Sequence, residues 1–351
     1  MRFIHIADIH LGAEPDAGSA YSKSRPREIW NSLERICGIC EEEGTDLLLI
    51  AGDLFHRQPL LRELKEVNAC LGRMRKTQVA LIIGNHDYLK PGSYYRSFSW
   101  AANIHPLLSE ELECLELPKL NTAVYGMSYH SREITGRPYE GMGAPGRQKH
   151  EILMLHGGDE KHMPIDGKEL SSLGYDYVAL GHIHKPQEVI PGKAAYSGAL
   201  EPIDKNDMGP HGYIAGELTD RGCQIRFVPA AAREYRPLEI RVTREMTGYQ
   251  VKELLRSRIG EMGKEHMYKA RLVGFRDPEV LFDLSGFDVY GNLVELTDGT
   301  RPAYDFGKLE ETNRENILGA FIREFQGAGE ETTEYMALCE GVQALMETRR
   351  D

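Results

Sequence analysis

The chain has 351 residues, 41% hydrophobic and 27% charged, an ordinary balance for a globular protein with a sizeable buried core. No stretch approaches the roughly 18–20 apolar residues that cross a bilayer, and "MRFIHIADIH" turns polar too soon for a secretory signal, so a cytoplasmic protein with no membrane partner is expected. A net charge of −12 argues against a surface that grips bare nucleic acid throughout, while leaving room for local basic patches and bound divalent cations.

Strand-like apolar runs alternate with amphipathic stretches up to about residue 235. The runs are "RFIHIA" (2–7), "DLLLIAG" (46–52), "VALIIG" (79–84), "AVYGM" (123–127), "EILMLH" (151–156) and "DYVALG" (176–181). Helical spacing lies between them near 27–43, 60–75 and 167–173, and shorter β-type pieces follow at 194–197, 213–218 and 224–228. Near-continuous apolar strands separated by helices predict a layered α/β domain whose strands are buried on both faces. The first helix carries "CGIC" (37–40), but Ile29, Leu33, Ile36 and Ile39 repeat at helical spacing around it and no second CxxC follows. Core-facing thiols are the simpler reading, with a redox or metal role as the alternative. "PAAAREYRP" (229–237) breaks the periodicity. A small strand–helix–strand module is expected over 236–325, and a last helix in 326–351 with Tyr335, Leu338, Val342 and Leu345 as its apolar stripe.

The chemistry sits just past the strands. "IHIA" is followed by Asp8 and His10, "LLLIAG" by Asp53, "ALIIG" by Asn85, His86 and Asp87; "ILML" runs into His156 and "VALG" into His182 and His184. Any one of these is more often a turn former or a helix cap. Five strands ending this way, with Gly52, Gly84 and Gly181 beside the polar residues, point instead to one shared rim at the strands' carboxyl ends. Carboxylate, amide and imidazole groups without a thiolate suit Mn²⁺, Fe or Zn²⁺ rather than a structural cysteine knot. Seven ligands are too many for one ion and fit two sharing a carboxylate, an arrangement that neutralises phosphoryl charge during in-line attack.

"DIH" (8–10), "GDLFH" (52–56), "GNHD" (84–87), "LHGG" (155–158) and "GHIH" (181–184) resemble the motifs of the calcineurin-like metallophosphoesterases. "GDLFH", "YSGALEPIDKND" (196–207) and the small module after 235 resemble the SbcD-type DNA-repair nucleases among them. The resemblance covers residues 1–235 by motif and the rest by layout. It implies a metallophosphoesterase β-sandwich flanked by helices, over 1–235, with a small α/β capping, DNA-binding domain at 236–325 and a helical tail at 326–351 for partner docking, with packing back onto its own domain as the alternative. One ion would be held by Asp8, His10, Asp53 and His184, the other by Asp53, Asn85, His156 and His182. His86 would contact the scissile phosphate or protonate the leaving oxygen, oriented by Asp87, and His56 would assist. Two Mn²⁺ ions, DNA as substrate and an SMC-like ATPase of the SbcC type as partner complete what it implies, with a homodimer left open. A phosphodiesterase or phosphatase for small nucleotides is the alternative enzyme, and a scaffold that kept the fold without catalysis is the alternative outside enzymes.

Weaker signals concern DNA. "YLKPGSYYRSFSW" (88–100) interleaves Lys90 and Arg96 with Tyr94, Tyr95, Phe98 and Trp100, a composition that suits either single-strand stacking or core. Basic residues outnumber acidic ones over 241–276, as a duplex-gripping cap or a solvated helix face would have it. The Gly/Pro-rich stretch 130–151 has no assigned place.

Overall fold

The computed structural model describes residues 1–19, 21–330 and 332–348; the last three residues of the 326–351 tail, together with positions 20 and 331, lie outside the described residues. It divides into two compact units, Met1–Arg236 and Pro237–Asp351.

The first unit is built on two six-stranded sheets. Its strands are β1 (Arg2–Ile6), β2 (Leu47–Ala51), β3 (Gln78–Ile82), β4 (Ile104–Pro106), β5 (Glu113–Leu117), β6 (Thr122–Gly126), β7 (His150–His156), β8 (Tyr177–Gly181), β9 (Gln187–Ile190), β10 (Ala194–Tyr196), β11 (Gly212–Thr219) and β12 (Gly222–Pro229). One sheet runs β12-β11-β1-β2-β3-β4 and the other β5-β6-β7-β8-β10-β9. β1 to β4 are mutually parallel, as are β6, β7, β8 and β10.

Side-chain alternation along β2 explains the layering. Leu47, Leu49 and Ala51 face the second sheet and meet Ile152, Met154, Tyr177 and Ala179. Leu48 and Ile50 face the other way, onto α1 (Arg25–Glu43) and α2 (Leu61–Gly72), beside Ile29, Leu33, Leu64 and Val67. The outer face of the second sheet is covered by α3 (Gly167–Ser172) and by Tyr139 and Tyr175. A strand buried on both faces must be apolar at every position, which is why these runs lack a polar face. The result is a helix–sheet–sheet–helix sandwich. Cys37, Cys40 and Cys70 are buried between α1 and β2 or α2, as core thiols.

The second unit begins with β13 (Tyr235–Val242), which straddles the boundary, and continues through α4 (Gly248–Met262), β14 (Met267–Arg276), β15 (Leu293–Asp298) and β16 (Arg301–Pro302). Thr247 starts α4 with a capping box to Gln250, and Val251, Leu255 and Ile259 pack on Leu238, Ile240, Tyr268 and Leu272. Three helices follow: α5 (Phe306–Thr312), α6 (Ile317–Glu324) and α7 (Thr333–Glu347). The apolar stripe of α7, open from the sequence to a partner or to packing within the chain, is covered within the chain, where Leu338 and Val342 pack against Leu318 and Ile322 of α6. The periodicity of α6 is only two turns long, too short to stand out in the sequence as the missing cover.

Candidate dimetal centre

The parallel strands β1, β2 and β3 of one sheet and β7 and β8 of the other end at one rim. Asp8 and His10 follow β1, Asp53 follows β2, Asn85 and His86 follow β3, His156 ends β7, and His182 and His184 follow β8. Asp8, His10, Asp53 and His156 are 0–1% exposed, an extreme burial for charged or imidazole side chains. The backbone is strained at the same places. Asp8 (φ 50°), His10 (φ 51°), Asp53 (φ 49°) and His182 (φ 94°) all adopt left-handed conformations that non-glycine residues rarely take. That cost is carried where side chains must be aimed.

Two groups of donor atoms result, joined at Asp53. In the first, His10 Nε2 lies 3.1 Å from His184 Nε2 and 3.7 Å from Asp53 Oδ2. Asp8 and His184 also lie within reach of a common ion with His10. In the second, His156 Nε2 lies 3.4 Å from the same Asp53 Oδ2 and 2.9 Å from Asn85 Oδ1, which is 3.2 Å from His182 Nδ1. Ligands held about 2.0–2.2 Å from one cation at tetrahedral or octahedral angles stand roughly 2.8–3.6 Å apart. Four of these five spacings fall in that range, and the fifth, His10 to Asp53 at 3.7 Å, lies just above it.

The donor chemistry fits a pair of cations too. His156 Nδ1 donates to the Ala51 carbonyl at 2.9 Å, so its Nε2 lone pair faces two oxygen acceptors. His184 Nδ1 donates to Asp207 at 3.1 Å, leaving its Nε2 lone pair against His10. Lone pair against lone pair is repulsive without a proton or a metal between them. Burial opposes the charged imidazolium at His156, but Asp53 outweighs it and raises the group to about 9. His184 is likewise raised to about 9 against its burial by Asp207 and Asp8. Burial raises Asp8 to about 6 despite His156 and His184. Asp53 is held well below the usual carboxylate range, because His156, His10 and His86 overcome its burial.

The glycines beside the ligands work by absence of a side chain. Only Gly52 has a positive φ (92°); a Cβ there would fall 2.7 Å from His156 Cγ. A Cβ on Gly84 would sit 2.6 Å from the Asp53 backbone nitrogen and closer still to its carboxylate, and one on Gly181 would press on His156 and the Ala51 carbonyl. Gly84→Ala is expected to displace Asp53 and weaken metal binding about 10–100-fold, read by titration calorimetry with Mn²⁺, while circular dichroism of the variant stays native.

His86 and His56 stand at the exposed edge of this array. Their rings stack at 5.1 Å, and His86 Nδ1 donates to the His56 carbonyl at 3.2 Å. The His86 amide donates to Asp53 Oδ1 at 2.9 Å, which ties this loop to the ligand. His56 Nδ1 lies 3.4 Å from His10 Nδ1, and His10, His56 and His86 are close enough to share an ion as well.

Two expectations are corrected. Asp87 does not orient the His86 ring. Its buried carboxylate accepts from the amides of Phe55 (3.2 Å) and Gly84 (3.1 Å) and from the Tyr95 hydroxyl (2.8 Å), so it locks the two ligand-bearing loops together. Burial and the nearby Asp53 charge raise it to about 7. Tyr95 cannot stack on a base: it is 1% exposed, with Phe55 and Trp100 against its ring. Phe98 and Trp100 likewise rest on the core, whereas Lys90, Tyr94 and Arg96 stay at the surface.

Two carboxylates went unforeseen. Asp159 accepts from His182 Nε2 at 2.8 Å and Asp207 from His184 Nδ1 at 3.1 Å, fixing the face each imidazole turns to the centre. Asp159 also binds His162 at 2.9 Å, and Asp159, His162 and His182 form a further ion-sized cluster beside the site.

Residues 1–186 match the calcineurin-like phosphoesterase family. The chain is 29% identical over 252 residues to the uncharacterized metallophosphoesterase YhaO of Bacillus subtilis (strain 168), covering 65% of this chain and 60% of that protein. It is 25% identical over 223 residues to the DNA double-strand break repair protein Mre11 of Halobacterium salinarum (60% of this chain, 55% of that one). To the Mre11 protein of Archaeoglobus fulgidus it is 26% identical over 283 residues (72% and 62%). The chain therefore spans less than two thirds of the length of these relatives. Among the described residues no helix is long and apolar enough to cross a membrane. With more than half of its length matched, and the matched part carrying the strand-end Asp, Asn and His residues on a two-sheet sandwich, the chain belongs to the calcineurin-like phosphoesterases.

Proposed function

We propose that the chain is a metal-dependent DNA nuclease subunit of the SbcD type, hydrolysing phosphodiester bonds at DNA ends or hairpins alongside an SMC-like ATPase. The observation that carries this reading is the joined pair of donor groups around Asp53 Oδ2, with His86 at their solvent edge. Asp8, His10, Asp53 and His184 would hold one divalent cation, and Asp53, Asn85, His156 and His182 the other. When bound, such a pair supplies a water-derived nucleophile at neutral pH and neutralises charge on the phosphoryl oxygens. Mn²⁺ is the favoured ion, since the donors are oxygen and imidazole without a thiolate; Fe and Zn²⁺ suit the same donors.

His86 gives the phosphate its hydrogen bond. With Nδ1–H tied to the His56 carbonyl, the imidazolium form of His86 carries a second N–H at Nε2, which would donate to a phosphoryl oxygen or protonate the departing one. The stacked His56 ring restrains the His86 plane. Asp159 and Asp207 hold His182 and His184 in their ligating tautomers. The relatives described as DNA double-strand break repair proteins favour DNA over a small nucleotide as substrate. The acidity of the chain, −12 overall, favours a partner that carries part of the DNA-binding surface. Lys90, Tyr94 and Arg96, and the basic stretch 241–276, are its own contribution to DNA binding.

The test compares linear duplex and hairpin DNA with a cyclic nucleotide, each with Mn²⁺ and with chelator. Manganese-dependent cleavage of the DNA is expected. Activity confined to the cyclic nucleotide would replace this reading with a small-nucleotide phosphodiesterase, and no activity on either with both ions bound would leave a scaffold.

A further inference from the structure

The stretch 130–151 that has no assigned place in the sequence is pinned along its length. Ile134 N donates to the Lys161 carbonyl at 2.9 Å, and Met163 N to the Ile134 carbonyl at 2.6 Å. The Tyr139 ring is buried, its hydroxyl donating to the Pro164 carbonyl at 2.9 Å, and Ala144 N donates to the Leu173 carbonyl at 2.7 Å. The strap thereby binds to the loop that follows the ligand His156. Its start opens onto a cavity of about 500 Å³, counting the solvent-open mouth, lined by Asn85, His86, Arg132, Glu133 and His162.

Arg132 is part of that wall. The Arg132 guanidinium is exposed and has no hydrogen bond or ion pair among the described residues, although Glu133 is its neighbour in sequence and in the cavity wall. A fixed backbone presenting an unpaired guanidinium next to His86 suits a fork that accepts two phosphate oxygens. His86 already serves the phosphate being cut.

Resting on the nuclease reading above, we propose that this cavity seats the neighbouring phosphodiester of a polynucleotide, and that Arg132 holds it. The residue thus sets specificity for a chain over a single ester. Glu133, beside it in the wall, opposes the strand by charge repulsion and so limits its approach on that side.

The experiment measures Mn²⁺-dependent hydrolysis of a single-stranded oligonucleotide and of bis(4-nitrophenyl) phosphate, which has no second phosphate. Arg132→Ala should raise KM for the oligonucleotide about tenfold with kcat nearly unchanged, and reduce the slope of log KM against log salt by about 0.7. Hydrolysis of the small ester should match the unaltered protein, which also reports an intact fold. Arg132→Lys should restore part of the loss, and Glu133→Gln should lower KM. An unchanged oligonucleotide KM, or an equal loss on both substrates, overturns the assignment while leaving the nuclease reading in place. Failure of the unaltered protein to cut any oligonucleotide while cutting the small ester removes the nuclease reading, and this assignment with it.

Discussion

Asp53→Asn is expected to reduce bound Mn²⁺ from two ions per chain to one or none, and to lower phosphodiester hydrolysis by at least about 10³-fold. The reason is geometric. Asp53 Oδ2 lies within 3.7 Å of His10 Nε2 and 3.4 Å of His156 Nε2, so both donor groups meet at it. Asparagine keeps the shape but loses the charge, and it places either a weaker carbonyl or an N–H donor at the meeting point. The fold should survive, because the other oxygen's acceptance of the His86 amide at 2.9 Å can be kept by the amide carbonyl. Elemental analysis beside a steady-state assay reads both effects on one sample. An Asp53→Asn protein that still holds two ions would show that the aspartate does not bridge.

His86→Ala separates chemistry from metal binding. Turnover is expected to fall about 10²–10⁴-fold, the range for a lost general acid or phosphate donor, with two ions still bound. His86 is exposed and its Nδ1 is committed to the His56 carbonyl, whereas the predicted ligands Asp8, His10, Asp53 and His156 are buried. The closeness of His10, His56 and His86 supplies the competing outcome. Loss of one ion in His86→Ala would make it a ligand, and unchanged turnover would remove it from the chemistry.

How much of this could be read from the sequence follows from how each contact is encoded. The strand-end residues were legible because parallel strands bring their carboxyl ends to one rim whatever lies between them, so five short runs sufficed. That the rim is shared by two stacked sheets was legible only through family resemblance. The alternation of Leu47, Leu49 and Ala51 against Leu48 and Ile50 tells a buried strand from an exposed one, yet gives no sign of whether a helix or a second sheet lies on each face. Asp159 and Asp207 were missed because a hydrogen bond behind a ligand leaves no spacing signature. Asp159 does follow His156 within "LHGGD", and Asp207 closes "IDKND", so an acid near a ligand motif was the available clue. Tyr95 misled for the opposite reason: aromatic and basic residues alternate there, but one turn of 3₁₀ helix (Tyr94–Arg96) points Tyr94 outward and Tyr95 inward, onto Asp87.

The most direct measurement of the central claim is an anomalous difference map at the manganese edge from crystals of the protein grown with Mn²⁺, together with the metal content of the same preparation. Two peaks about 3.5–4 Å apart, flanking the Asp53 carboxylate, with Asp8, His10 and His184 around one and Asn85, His156 and His182 around the other, are expected. A single peak, or ions seated away from Asp53, would contradict a shared-carboxylate pair and the hydrolytic chemistry built on it.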